Sequence, residues 1–421
     1  MRKLVLLALV LVSAGLLWAG GQQAKADTVV IGIWDKDIDM QEEGFLYADH
    51  LFKDWPDPVE FRFYPVGDGA EVAIQLDVAA GTPPDIYTDY IGRVNIYANE
   101  RYAHDLTAHV NVNDWDESFL AMTTKGGRIW ALPTTAWVMP MILNKTVMEE
   151  IGMFNVVRDR SWTIAEFVES ARRAQALGVH GFGFFAGGGA GGDYWNMALL
   201  PSFGASLYRD NQVVIGEPAG RLALQWHQDF VNEGLAAPGA AGMIWSDMYA
   251  LWAEGKLLAI SGTANRVNQG VEAYEAGTTD RPFEGWITGW PLAPGVDQAP
   301  MAVGPDAVMA FRTGSDIRPE VLRAIERMAG PLAQGLRVAH QYRVPSLREP
   351  LWVEGPAWEE DWFTVTLDLL RQHGAWDIGL GLTEYSRIRP MVPEMFQKIY
   401  SGGNVDEAID AFIREANEIL Q

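Results

Sequence analysis

The sequence contains no cysteine. That excludes disulfides, thiolate nucleophiles and cysteine metal sites, and it leaves no thiol to carry a lipid anchor. Histidine is scarce too: the seven are scattered, with no H-E-x-x-H and no close pair beside acidic support, so neither a transition-metal site nor any other cofactor is expected. Basic residues are few. Against 55 Asp plus Glu stand 32 Lys plus Arg, a net charge of -23 over 421 residues. A surface of that sign repels phosphate backbones, which excludes a nucleic-acid role. Beyond the N-terminus no apolar run is long enough to span a bilayer.

What is present is ample apolar material. Hydrophobic residues make up 48% of the chain and charged residues 21%, enough to bury the cores of two domains or one large one. The chain opens with Arg2 and Lys3, an apolar run from Leu4 to Ala19, and a polar stretch ending Ala24-Lys25-Ala26. These are the parts of a secretory signal peptide, so residues 1–26 are expected to be removed. Loss of Arg2, Lys3 and Lys25 takes the charge from -23 to -26. An exported, periplasmic protein, soluble after cleavage, is the expectation.

Strand-like and helical stretches alternate along the remainder, which predicts an α/β architecture. Thr28-Val29-Val30-Ile31-Gly32-Ile33-Trp34 is an apolar, β-branched run suited to a buried parallel strand, and Val59-Glu60-Phe61-Arg62-Phe63-Tyr64 alternates as a second. Thr163 and Glu166 form a capping box ahead of Ile164, Phe167, Val168, Ala171 and Ala174, which share one helix face, and Gly178 stops the helix after Leu177. From Val405 to Leu420, Ala408, Ile409, Phe412, Ile413, Ala416 and Leu420 form a stripe that predicts a docked terminal helix. Gly187-Gly188-Gly189-Ala190-Gly191-Gly192 formally satisfies G-x-G-x-x-G, with Asp210 downstream. It lacks the Lys-Ser/Thr pair of a phosphate loop, and a flexible turn is the better account of so glycine-rich a run.

Several segments, in order, carry a resemblance. They are Gly81-Thr82-Pro83-Pro84-Asp85-Ile86; Tyr102-Ala103-His104-Asp105-Leu106-Thr107; Gly127-Arg128-Ile129-Trp130-Ala131-Leu132-Pro133, followed by Asn144-Lys145, Glu149-Glu150 and Ile151-Gly152; Ser161-Trp162-Thr163 with Glu166-Phe167; Leu251-Trp252-Ala253-Glu254-Gly255-Lys256; and Val344-Pro345-Ser346. Together they resemble the extracellular solute-binding proteins of ABC importers, family 1, in the sugar-binding group that includes maltose-binding protein. The resemblance spans nearly the whole mature chain. It implies the type II periplasmic-binding-protein fold: two α/β lobes, hinge crossovers and a ligand cleft. The lobes are expected over 27–135 plus 292–342 and over 136–291 plus 343–421, with crossings near Pro133 to Pro140, Trp290 to Pro294 and His340 to Pro345. It further implies a protein without catalytic residues, which captures a mono- or oligosaccharide by lobe closure and hands it to membrane permease subunits; nothing in the sequence indicates an obligate oligomer, so a monomer is expected.

Sixteen of the 17 Trp lie in the mature chain, and Trp is the side chain best suited to stack on the apolar face of a sugar ring. Trp34 and Asp35 follow the first strand, at the carboxyl end where open α/β sheets bind ligands, and Asp89 and Tyr90 follow the Pro84-Asp85-Ile86 strand in the same way. The resemblance places the rest. Trp137 falls where maltose-binding protein carries a sugar-binding glutamate, a departure that puts maltodextrin specificity in doubt. Tyr194-Trp195-Asn196 resembles an aromatic pair that stacks sugar rings. Trp245 and Asp247 precede the Gly255-Lys256 segment at a place that often faces the cleft. Asn265 and Arg266 stand where many relatives place a Trp, and Arg266 is open to pairing with a ligand anion or with a surface carboxylate. Trp286 and Trp290 flank the second crossing. Two other readings remain open: a secreted glycosidase whose carboxylates, for instance Asp35 and Asp89, flank a bond, and a binding protein for a polyamine, a metal chelate or glycerol phosphate.

Overall fold

The computed structural model describes residues 28–34, 47–65, 68–187, 192–209, 212–380, 382 and 384–420. The signal-peptide expectation, Asp35, Asp210 and Gly188 to Gly191 lie outside them.

Among the described residues fifteen strands run in chain order: β1 (Val29–Trp34), β2 (Val59–Tyr64), β3 (Ile86–Tyr90), β4 (Thr124–Lys125), β5 (Arg128–Ile129), β6 (Leu132–Met139), β7 (Met141–Asn144), β8 (His180–Phe182), β9 (Tyr208–Arg209), β10 (Gln212–Val213), β11 (Leu257–Ser261), β12 (Gly285–Thr288), β13 (Met301–Ala310), β14 (Val344–Pro345) and β15 (Ala375–Asp377). β4 with β5 and β9 with β10 are short antiparallel pairs. The others make two sheets. The first has the order β14-β6-β13-β3-β1-β2, with β15 added alongside β13; the second has the order β12-β7-β11-β8.

β1 is parallel to both β2 and β3, and Val29, Ile31 and Ile33 are buried, as an apolar strand with neighbours on both sides requires. One face of the first sheet, through Ile31, Ile33, Ile86, Val308 and Ala310, packs on Val321, Ala324, Ile325 and Met328 of the helix Pro319–Ala329. The opposite face, with Tyr64, Tyr87 and Met309, joins a larger core that continues through Ile142, Leu143, Ala259 and Ile260 of the second sheet.

The capped helix forms over Ile164–Gln175. Thr163 Oγ1 accepts from the Glu166 N–H at 3.2 Å, and Glu166 Oε2 accepts from the Thr163 N–H at 2.8 Å. Its buried Phe167 meets Phe182 of β8 edge-on at 6.1 Å, so the helix does lie on the second sheet. Val405–Leu420 is a helix whose buried Ala408, Ile409, Phe412 and Ala416 dock it beside Met391–Tyr400 and Pro218–Asn232, where Arg221 pairs with both Asp406 and Asp410.

The chain passes from the first sheet to the second at Pro140, between β6 and β7, and returns between Thr288 and Met301. The lobe border expected at 135/136 therefore cuts through β6, all of which sits in the first sheet. Residues 343–421 were expected wholly in the second lobe, yet β14 pairs with the edge of β6 (Val344 with Ala136), and β15 with the start of β13 (Ala375 with Met301). Both satisfy main-chain groups of the first sheet where its strands lack another neighbour.

Candidate ligand-binding cleft

Aromatic side chains from the two sheets meet. β3 ends at Tyr90, whose ring folds over Gly92: a Cβ there would sit 2.3 Å from Tyr90 Cε2. Trp137 projects from β6 opposite Gly304 of β13, and its ring lies across that glycine. These two belong to the first sheet. From the other side come Tyr194 and Trp195, on the helix Gly192–Met197, and Trp245 and Tyr249, on the helix Trp245–Ala253 that precedes β11.

The rings form a continuous path. Tyr90 meets Tyr194 edge-on at 6.3 Å, Tyr194 meets Trp137 edge-on at 5.3 Å, and Trp137 stacks on Trp195 at 6.5 Å with 23° between planes. Trp195 Nε1 donates to the Tyr249 hydroxyl at 2.9 Å, and Tyr249 meets Trp245 at 6.1 Å. Tyr90 and Tyr194 are buried, Trp137 and Trp195 half-buried, and Trp245 is 44% exposed, so the path runs from the junction of the sheets out to the surface. Offset and edge-on pairs of this kind add about 0.5–1.5 kcal/mol each beyond area burial, which favours the approach of the two sides.

Cations line the path. The Arg389 guanidinium lies over both Tyr90 and Tyr194, at 5.3 and 5.2 Å, and donates to the Tyr90 hydroxyl. Arg93 lies over Tyr90 at 4.8 Å, and Arg266 lies over Tyr249 at 4.3 Å. Burial raises the pKa of the Tyr249 hydroxyl, opposed by the lowering pull of Arg266, so it stays protonated and can donate while accepting from Trp195.

Of the residues expected at the ligand, Tyr90, Trp137, Tyr194, Trp195, Trp245 and Arg266 are thus brought together. The others fall elsewhere or act differently. Trp34 ends β1, with its side chain outside the described residues. Asp89 is buried: its carboxylate accepts from the Tyr87 hydroxyl at 2.7 Å and the Tyr90 N–H at 2.6 Å and pairs with Arg93 at 3.2 Å, an arrangement that fixes the turn carrying Tyr90. Asn196 is buried and clasps both main-chain groups of Phe185. Asp247 accepts from the Ile244 N–H at 3.0 Å, closing the first turn of its helix, and Asn265 is exposed and accepts from the Thr263 hydroxyl. Trp286 packs edge-on against Phe154 at 5.1 Å beneath Arg160, and buried Trp290 donates to Met139 O at 3.2 Å, holding the crossing at Pro140.

Sequence reasoning did not single out Tyr249, Arg389 or Gly304. Tyr249 had a signal, since it lies four residues after Trp245 on one helix face. For Arg389 and Gly304 no local pattern exists. An open hollow of about 640 Å³ lined by Asp116, Glu117, Ser118, Ala121 and Arg348 shares no residue with the path. Its polar groups serve local structure, with Asp116 capping a short helix and Arg348 donating to Trp115 O. The aromatic path, where the two sheets face each other, is the better candidate.

A model of the bacterial extracellular solute-binding proteins matches residues 47–334. The chain belongs to this family. Among curated proteins, a putative binding protein of Brucella abortus (strain 2308) is 24% identical over 221 residues, 49% of this chain and 53% of that protein; the chain thus spans about half the length of the curated relatives it matches. Among solved structures, an ABC transporter solute-binding protein of Thermotoga lettingae TMO bound with α-D-tagatose is similar at a TM-score of 0.75 and 15% identity, covering 94% of this chain and 100% of that one. A maltose-bound protein of T. maritima follows at 0.73 and 16%, covering 93% and 99%. The maltotriose-binding protein of Thermus thermophilus gives 0.69 and 15%, covering 93% and 100%. At these identities the likeness establishes the fold, the two-lobed periplasmic-binding-protein architecture of that group. For this solute-binding protein, no group of three or more metal-ligating side chains occurs among the described residues, and none of their helices is long and apolar enough to cross a membrane.

Proposed function

We propose that this protein is the exported binding component of an ABC importer and captures a carbohydrate between its lobes, without catalysis, for delivery to a membrane permease. The observation that carries this reading is the aromatic path from Tyr90 through Trp137 and Trp195 to Trp245. It offers flat apolar faces, edged by hydroxyl and guanidinium donors, and flat faces with polar edges are what a pyranose ring presents in turn. The structures it resembles include proteins bound to tagatose, maltose and maltotriose, which supports a sugar over a polyamine. The cations along the path favour the same choice.

Trp137 and Trp195 stack across the junction of the sheets, so a sugar entering between them must part the rings and bridge both sides. A ligand held by both lobes binds the closed form better than the open one, which is the requirement for shifting the population toward closure. The division of labour is then Tyr90 and Trp137 from the first sheet's side and Tyr194, Trp195 and Trp245 from the other, with Arg389 over both Tyr90 and Tyr194. Asp89 supports this site from behind and is not a catalytic carboxylate. Titration calorimetry of the chain from Asp27 to Gln421 against mono- and oligosaccharides tests the reading. A hit without turnover, weakened by Trp195→Ala by about 1–3 kcal/mol, the worth of a base stacked on an aromatic side chain, is the expected result. Sugar hydrolysis, or binding indifferent to Trp195→Ala, would overturn it.

A further inference from the structure

The charge of the protein makes one residue of the site conspicuous. Acidic residues outnumber basic ones 55 to 32, and two arginines described above have carboxylate partners: Arg93 with Asp89, Arg221 with Asp406 and Asp410. Arg266 has none within 4 Å among the described residues. Its Nε is buried without a hydrogen-bond acceptor. The residue is nonetheless held in place: the guanidinium stacks on Tyr249 at 4.3 Å and hydrogen-bonds with its hydroxyl, and the Arg266 main-chain carbonyl accepts from Trp252 Nε1 at 2.9 Å. Asp247, on the helix that carries Tyr249, is engaged with the Ile244 N–H.

A guanidinium fixed on an aromatic face, partly desolvated and lacking a counter-ion, is a receptor for a planar anion. It presents N–H groups in a rigid fork matching two oxygens of a carboxylate or phosphate. Its position ties it to the stacking surface, because Tyr249, on which it rests, accepts the Trp195 indole N–H. A sugar stacked on Trp195 therefore has its substituents beside Arg266. A neutral hydroxymethyl there would leave the cation uncompensated; an anionic oxygen group would neutralise it.

We propose that the ligand of this cleft is an acidic sugar, one bearing an anionic oxygen group that seats against Arg266, with a uronate carboxylate as the group of matching planar geometry. The inference rests on the carbohydrate reading above and narrows it from sugars in general to anionic ones. It also answers the choice left open by the sequence, since Arg266 meets no surface carboxylate among the described residues.

The test uses calorimetry on the chain from Asp27 to Gln421 with matched pairs: glucuronate against glucose, galacturonate against galactose, a short uronate oligosaccharide against its neutral counterpart, and glucose 6-phosphate with glycerol phosphate as the phosphate arms. The expected result is at least tenfold tighter binding of an acid than of its neutral partner, a preference that shrinks as salt rises. Arg266→Gln should bring the acid and neutral affinities together, and Arg266→Lys, which keeps the charge but loses the fork, should give an intermediate ratio. Thermal melts of both variants check that they fold. If glucose 6-phosphate shows the preference and the uronates do not, the anion seat stands and its occupant is a phosphate. Equal affinity for acid and neutral sugars, or a preference that survives Arg266→Gln, overturns the inference while leaving the carbohydrate reading intact. Binding of glycerol phosphate alone overturns the carbohydrate reading, and with it the acidic sugar; silence from every compound does the same.

Discussion

Replacing Gly304 with Ala should disturb the cleft through one contact. Gly304 pairs with Trp137 across β13 and β6, and a Cβ at 304 would lie 1.8 Å from Trp137 Cζ2 and 2.2 Å from Cε2 and Cη2. Carbon atoms settle at about 3.5–4.0 Å, so the indole must retreat by roughly 2 Å. It has little room to do so. Trp195 stacks on it at 6.5 Å and Tyr194 closes it edge-on at 5.3 Å. Gly304 lies within β13, just before a register shift at Pro305, and is not among the positive-φ glycines, so the backbone accepts alanine and the cost is steric. Overpacking of this kind costs about 1–3 kcal/mol. Urea denaturation of Gly304→Ala should report that loss, and sugar binding should weaken as Trp137 leaves its stacking position. The control is Trp137→Ala. In that background the added methyl has space, so Gly304→Ala should cost much less than in the parent, giving a coupling of about 1–3 kcal/mol between contacting sites. Additive costs in the double variant, or Gly304→Ala melting like the parent with unchanged sugar affinity, would refute the steric argument.

Two further perturbations probe the scaffold. His227 is fully buried beside Phe184, Phe396 and Tyr400, its Nδ1 3.0 Å from the Tyr400 hydroxyl, and burial pushes its pKa down from 6.5 to about 3. The fold holds the neutral ring, so its contribution is intact above pH 6.5 and is lost on acidification between 6.5 and 3, at up to about 1.4 kcal/mol per pH unit. His227→Phe should flatten the stability profile below pH 6.5; a slope unchanged from the parent would show that His227 does not govern it. Arg337 is buried with Asp306, at 2.7 Å, and donates to Thr134 Oγ1 at 2.9 Å. Arg337→Met should destabilise by about 3–5 kcal/mol, toward the lower end because Arg343 lies 3.7 Å from the same carboxylate. Adding Asp306→Asn should recover part of that loss, and a double variant no more stable than Arg337→Met would argue against an uncompensated charge as the cause.

The sequence by itself determined the elements whose causes are local. β1 follows from an apolar run rich in Val and Ile, the helix Ile164–Gln175 from a capping box whose two hydrogen bonds span three residues, and the terminal helix from an apolar stripe of helical period. The family too was legible, because its motifs are short contiguous segments, and so were five rings of the candidate cleft. What only the tertiary structure decided is which side chains meet. Trp137 faces Gly304 because β6 and β13 pair antiparallel in one particular register; Arg389 reaches Tyr90 across 299 residues; and β14 and β15 join the first sheet because its strands had main-chain groups to satisfy. The same long-range packing separated alike residues, sending Trp195 to the cleft and Trp290 to brace a crossing. An indole has one composition and two uses. Burial against the chain or against a ligand is chosen by neighbours distant in sequence, and no local periodicity records them.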